Sequence, residues 1–320
     1  MSSNPSSLSS PSSPSLRPSG QARGGAPHVL AAAALWGTTG TVASFAPPAA
    51  SPLSIGAATM GLGGLLTLAL AGRSAFAVLR GGRGQLVHLL TGAVGVVVYP
   101  LAFYLAMDLA GVAVGTVVCL GSAPVFAALL DRLLYGGALT ARWAAATTAA
   151  TGGCAVLVLD GHGAAGDRVA AGVAAGLLSG AAYAVYTSCA SALIRHGHTA
   201  RATMGALFGL GACVLLPLFA ATGGALLAEP RGIAVAAYLA LVPMCLAYAL
   251  FGAGLTRVRA SAATTLTLFE PVVAAVLSVA VVGERFGAVG WVGVGLVVLG
   301  LLVLTARAPR RPRAAAGTGG

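Results

Sequence analysis

Glu270 offers the most chemistry of any residue in this chain. It is a carboxylate inside the otherwise uncharged run from Ala260 to Gly283, and Pro271 follows it directly. A charge at the centre of a bilayer costs about 2.5–3.5 kcal/mol on insertion scales, so such a side chain faces a helix bundle or a wet cavity rather than lipid. Pro271 has no backbone N–H and is expected to weaken the helix and free a carbonyl one turn upstream. Two roles are open to Glu270: a substrate-binding or proton-coupling acid, or a structural acid that bonds a neighbouring helix end. Thr267 stands one turn earlier on the same face and can share its hydrogen bonds.

A second set of residues could wall the same space. At about 100° per residue, Gly172, Gly176, Ser179, Gly180, Tyr183, Tyr186 and Thr187 fall within a sector of about 120°. Val173, Leu178, Ala181 and Val185 lie away from it. Small residues at four-residue spacing allow close helix approach and account for the glycines, as they do for Gly205 and Gly209. A buried phenol needs a polar partner or a cavity, which makes Tyr183 and Tyr186 wall candidates. Tyr99, Pro100 and Tyr104 lie deep in one apolar run, and Pro243 and Tyr248 lie deep in another, too far inside for the interfacial aromatic belt. Trp36 fits a pocket wall or a packing seam equally well. Trp143 and Trp291 open apolar runs and read as interface anchors.

No other chemistry is indicated. The five histidines (28, 88, 162, 196, 198) lie at or near loops or tails, and His196 and His198 are two apart, poor metal geometry on a helix. There is no Ser/His/Asp set, no H-E-x-x-H and no phosphate loop, so neither a cofactor, a metal site nor an enzyme is expected. The five cysteines (119, 154, 189, 213, 245) fall inside apolar runs and read as small packing residues.

The elements that hold these residues are read from composition. Only 8% of the 320 residues are charged, 58% are hydrophobic and the mean hydropathy is +0.92, too little charge to cover a soluble domain. Uncharged stretches run 29–72, 84–107, 109–130, 143–159, 169–194, 202–228, 232–256 and 286–306. A span needs about 20 apolar residues, so the first stretch holds two, with the turn at Ala46–Pro52. The run around Glu270 makes ten. Continuous apolar runs lack the alternation of barrel strands and indicate helices. Residues 1–27 are Ser/Pro-rich without an apolar segment and read as a disordered tail, as does the basic, Ala/Gly-rich stretch 308–320.

Charge placement sets the orientation. With a cytoplasmic N-terminus, the outer side holds Arg168, Arg231 and Arg285, and the other fifteen of the eighteen basic residues are cytoplasmic. Asp108, Asp160, Asp167, Glu229 and Glu284 fall outside. The arginine bias predicts that both ends are cytoplasmic. It also gives the net charge of +11 a membrane explanation and argues against nucleic acid.

The chain can be laid on itself. An offset of 147 brings Ala123-Pro124-Val125 over Glu270-Pro271-Val272, an offset of 145 brings Leu101-Ala102-Phe103 over Leu246-Ala247-Tyr248, and 143 brings Gly37 over Gly180. Each half, 29–160 and 169–307, then contains five spans, and an odd number inverts the second half relative to the first. Inverted repeats commonly build alternating-access carriers with a mid-membrane site. Prolines and tyrosines at corresponding depths of the third and eighth spans mark the same place.

Leu268-Phe269-Glu270-Pro271-Val272-Val273-Ala274-Ala275, closed by Gly283-Glu284-Arg285-Phe286, resembles the EamA family of the drug/metabolite transporter superfamily, whose repeats carry an E-P-V-x-A-A string and a G-E-R turn in the fourth span. Leu35-Trp36-Gly37 is similar to that family's opening L-W-G, and the resemblance covers about 29–307. The first repeat departs from it. Ala123 replaces the acid, Gly137-Ala138 replaces the Glu-Arg of the turn, Asp131-Arg132 is an extra pair, and Thr59 stands where many members have an arginine.

The expected fold is therefore all-α and integral to the membrane, ten transmembrane helices in two inverted five-helix repeats. The expected function is a secondary transporter, an exporter by family analogy, moving a small metabolite such as an amino acid or amphipathic compound by alternating access. Substrate contacts are assigned to Trp36, Tyr99, Tyr104, Tyr183, Tyr186, Tyr248, Thr267 and Glu270. The partners are that substrate and the lipid bilayer of the cytoplasmic membrane, with a coupling proton and a homodimer both open. The chain has no lysine, and every arginine sits in a tail or loop, which disfavours phosphorylated cargo. A membrane-embedded enzyme and a non-transporting scaffold or sensor are the alternatives. The first lacks a catalytic dyad, and the second leaves the repeat, the paired kinks and the central acid without a purpose.

Overall fold

A computed structural model describes residues 25–135, 145, 148–149, 152–153, 156, 166–255, 266–267, 269–285 and 287–305. The expected span 143–159 (apart from isolated helical positions), Trp143, the Gly137-Ala138 turn and most of both tails lie outside them. The regular structure among the described residues is helical throughout: α1 (Ala26–Gly37), α2 (Thr39–Ala43), α3 (Pro52–Ala71), α4 (Arg73–Leu79), α5 (Arg83–Ala110), α6 (Val112–Tyr135), α7 (Gly166–Arg195), α8 (Ala200–Thr222), α9 (Gly224–Leu227), α10 (Pro230–Leu241), α11 (Ala247–Leu255), α12 (Phe269–Leu277) and α13 (Ala288–Thr305). A π-helical turn, Val242–Leu246, joins α10 to α11, and a second, Ser278–Val282, closes α12.

Local chemistry sets several boundaries. Ser51 caps α3 by accepting from the Ser54 N–H at 3.1 Å, with Pro52 at the first helical position, where its missing N–H costs nothing. Thr199 caps α8 by accepting from Ala202 N–H at 3.2 Å. Gly111 (φ +90°) and Gly283 (φ +81°) hold left-handed backbone just after α5 and after the second π-turn, where a side chain would be strained.

Among the described residues, five stretches are long and apolar enough to cross a membrane: Pro52–Ala71, Arg83–Ala110, Asp167–Arg195, Ala200–Thr222 and Pro230–Phe251. Val112–Ala127, Phe269–Val282 and Ala288–Gly300 are shorter apolar helices. Large apolar side chains point outward from them. Leu70, Val87 and Val94 are about 60% exposed, a surface that suits lipid and not water.

Packing concentrates between α5 and α7, α3 and α8, and α6 and α7, while α1 packs on α11 and α12. Met60, Leu89, Val96, Tyr186, Leu207 and Phe208 form the main buried cluster. Glycines set the distances, as their spacing predicts. A Cβ on Gly180 would meet Cys119 O at 2.7 Å, and one on Gly37 would meet Val273 Cβ at 2.7 Å and Glu270 O at 2.9 Å. Gly172 and Gly176 approach Ala110 and Val118 in the same way, and Gly209 approaches Leu68. On the other side of α7, Leu178 is exposed.

One expectation about Pro271 needs correction. Helix α12 begins at Phe269, so Pro271 lies in its first turn, where no intrahelical N–H is required, and Thr267 occupies a turn. The carbonyl upstream is not left free, because the Glu270 N–H donates to Thr267 O at 3.0 Å. The two prolines expected at corresponding depths sit in different local backbone. Helix α5 continues through Pro100, whereas Pro243 sits in a π-turn.

Candidate functional site

A cavity of about 470 Å³ lies among α1, α2, α3, α5, α6, α7, α8, the first π-turn, α11 and α12. All eight residues singled out from sequence line it: Trp36, Tyr99, Tyr104, Tyr183, Tyr186, Tyr248, Thr267 and Glu270. Glu270 reaches it from the first turn of α12, where the positive end of a helix dipole favours a carboxylate.

The aromatic rings form one connected set of contacts, closed by Phe208, which lies buried behind the cavity wall. Trp36 meets Tyr248 edge-to-face at 5.1 Å and Phe251 at 5.4 Å, and Tyr248 meets Phe208 at 6.1 Å. Phe208 meets Tyr186 at 5.9 Å, Tyr186 meets Tyr183 at 5.0 Å, and Tyr183 meets Tyr99 at 5.4 Å. Nearly all of these are T-shaped contacts, the preferred arrangement for ring quadrupoles, so successive rings turn their faces in different directions.

Much of the polar capacity is already engaged. The Trp36 indole N–H donates to Pro243 O at 3.0 Å. The Thr59 and Tyr104 hydroxyls are 3.0 Å apart, and Thr59 also donates to Ile55 O at 2.8 Å. Thr187 lies within hydrogen-bond distance of the Tyr183 and Ala184 carbonyls. Sequence reasoning noted Thr59 only as a departure from a family pattern. Its place seven residues into α3, at the depth of Tyr104, was the signal that it belongs to the site. Phe103, Met204, Met244 and Phe251 were missed because apolar side chains carry no chemical label.

The cavity is lined in pairs by the two halves. Ala123 and Glu270, 147 apart, both line it, as do Phe103 and Tyr248, 145 apart, and Thr59 and Met204, 145 apart, and each half also contributes a proline, Pro100 and Pro243. A further pair supports its walls. Trp36 bonds the carbonyl of Pro243, and Ser179, 143 residues later, donates to the carbonyl of Tyr99 at 3.0 Å, next to Pro100. The first helix of each half is thus tied to the proline region of the other.

Glu284, in the turn after α12, stands outside the cavity. Its carboxylate accepts from the N–H groups of Val112 and, at 3.2 Å, Ala113, the first residues of α6. Gly111 leaves the space it needs, since a Cβ there would lie 2.9 Å from Glu284 Oε1. At the same end, Arg168 and Asp108 form an exposed pair at 3.9 Å. At the other end His198 bonds Gln85 at 2.9 Å, and Arg201 bonds Leu70 O. No group of His, Cys, Asp or Glu among the described residues could hold a metal ion.

Apolar helices with lipid-facing surfaces, gathered about an aromatic cavity that holds an acid, define a multi-pass membrane protein of the transporter class. The chain belongs to the EamA-like transporter family, whose model matches twice, over residues 24–159 and 170–306. It is 38% identical over 287 residues, 90% of this chain and 95% of the other, to "Uncharacterized transporter YwfM" of Bacillus subtilis (strain 168). It is 27% identical over 303 residues to "Uncharacterized inner membrane transporter YicL" of Salmonella typhimurium (strain LT2), covering 92% of this chain and all of that one. A solved crystal structure at 20% identity matches with a TM-score of 0.57, over 88% of this chain and 96% of that one, a likeness of fold.

Proposed function

We propose that this protein is a secondary carrier that moves a small organic metabolite across the cytoplasmic membrane by alternating access, in the direction of export. The observation that carries this reading is one cavity lined by residues of both segments that the family model matches. A binding site at the junction of two repeats is what exchange of access between two membrane faces requires. The proposed architecture is ten spans in two inverted five-helix repeats with both ends cytoplasmic. Three pairings support it: α5 with α7 and α1 with α11, α6 with α7 and α1 with α12, and α3 with α8. These are the contacts that inversion of one half onto the other exchanges or preserves. The arginine asymmetry supports the orientation.

The substrate contacts are assigned to Trp36, Tyr99, Tyr104, Tyr183, Tyr186, Tyr248, Thr267 and Glu270, with Glu270 as the substrate or coupling acid. The π-turns Val242–Leu246 and Ser278–Val282 adjoin the cavity helices and supply weaker backbone at which they can bend. The test is flux. Proteoliposomes containing the full chain are exposed to a metabolite mixture, and internal contents are read by mass spectrometry. At least one compound should cross saturably and only with protein present. Equal composition in protein-free vesicles, for every compound, refutes the carrier reading.

A further inference from the structure

The cavity is chemically one-sided. Its described lining holds one carboxylate and no Arg or His, and the chain has no lysine. Glu270 is partly buried, and an acid in such a cavity with no cationic partner among the described residues lacks the compensation that buried charges normally have. Such an acid is neutralised either by a proton or by a cationic occupant of the space, and a cargo that carries the positive charge would displace the proton. A cargo carboxylate would be repelled by Glu270, would find no cation in the described lining, and would have only neutral hydroxyl donors such as those of the tyrosines. The Trp36 N–H is committed to Pro243 O, Thr59 and Tyr104 are committed to each other, and Thr187 bonds back to its own helix.

The walls supply what a cation uses instead. Trp36, Tyr99, Tyr183 and Tyr248 line the cavity, and their mutual edge-to-face contacts turn ring faces in several directions around it. The negative face of an aromatic ring attracts ammonium groups, most strongly where water is excluded. A volume of about 470 Å³ admits an organic body as well as a charged head.

We infer that the cargo is a monovalent organic cation, an amine or quaternary ammonium with an apolar body and no free carboxylate, paired with Glu270 and caged by the tyrosine and tryptophan rings. This rests on the carrier reading and narrows it, setting the free amino acid aside as preferred substrate.

Four probes with a shared phenyl group and short side chain separate the possibilities: 2-phenylethylammonium, phenylalanine, 3-phenylpropionate and 2-phenylethanol, titrated calorimetrically into the purified full-length protein in detergent. The cation should bind at least tenfold more tightly than the zwitterion and the anion. Glu270→Gln should weaken the cation at least tenfold and the alcohol less than twofold. Tyr183→Leu should weaken the cation more than Tyr183→Phe does, because only the first removes the ring. Phenylalanine or phenylpropionate binding as tightly as the cation overturns the inference, as does cation binding that is indifferent to Glu270→Gln, or no binding of any probe. Parallel flux assays keep the two readings apart. Saturable phenylalanine transport sinks the cation class and leaves the carrier standing, whereas no flux of any probe or of the metabolite mixture removes both.

Discussion

Removing the Glu284 carboxylate should loosen the joint between the two halves by a calculable amount. Its two oxygens satisfy the Val112 and Ala113 N–H groups, two of the donors that the first turn of α6 cannot satisfy internally. Loss of a helix cap costs about 0.5–2 kcal/mol, and a hydrogen bond to a charged group is worth about 1.5–3 kcal/mol. These describe the same interaction from two sides, so Glu284→Ala should cost about 2 kcal/mol. Glu284→Gln keeps one acceptor oxygen and loses the charge at the helix end, for about 1 kcal/mol. Arg285 is the neighbouring exposed residue, and Arg285→Ala should stay within about 0.5 kcal/mol of wild type. Reversible unfolding in mixed SDS micelles, followed by circular dichroism, gives the three differences. The reasoning fails if Glu284→Ala unfolds with wild-type stability, or if Arg285→Ala loses as much.

Gly37→Ala and Gly180→Ala should each cost about 1–3 kcal/mol through overpacking, while Gly295→Ala, on α13 with nothing near its Cβ, should be neutral or slightly stabilising in the same unfolding assay. Reporter fusions at both ends should read cytoplasmic, and an external signal at either end would overturn the ten-span topology. Glu270→Gln should fold, since the amide matches the acid in shape and is cheaper to bury, yet transport should fall and its pH dependence should flatten once the titrating group is gone. Thr267→Val should shift substrate affinity, and full transport by both variants would move the search to the surroundings of Tyr104, Tyr183 and Tyr248.

The helices and the cavity wall were legible in the sequence for a physical reason. In lipid every backbone group must be satisfied within its own segment, so long uncharged runs have few structures to choose from. Polar or aromatic residues deep in such runs carry a burial cost that only a partner or a cavity relieves. That logic placed all eight candidates around one space. It erred where local backbone geometry decides. Pro271 looked like an interior break, yet the helix starts two residues before it. The π-turns had no sequence signature beyond Pro243, because an extra residue in a helix is set by how its neighbours pack. The partner of Glu284 was equally hidden, since nothing in a Gly-Glu-Arg turn says which helix end 172 residues away will lie beneath it.

The two halves share a frame but not a chemistry, and the difference is informative. Gly37 and Gly180 both seat the first helix of one half against the fourth span of the other, and Trp36 and Ser179 both brace a carbonyl in a proline region. On the proposed inverted, alternating-access reading, such shared bracing would let each half adopt in one state what the other adopts in the next. The residues that differ then act as biases. Glu270 faces the cavity where the matching position is Ala123, and Thr59 pairs with Tyr104 where the matching position is Met204. A cargo can shift a balanced pair of states only by interacting differently with them. A single charged group, presented by one half alone, gives it that difference. Symmetric acids would leave a doubly charged cavity that one cation cannot neutralise. The loss of the acid at position 123 is therefore consistent with a cargo that carries one charge.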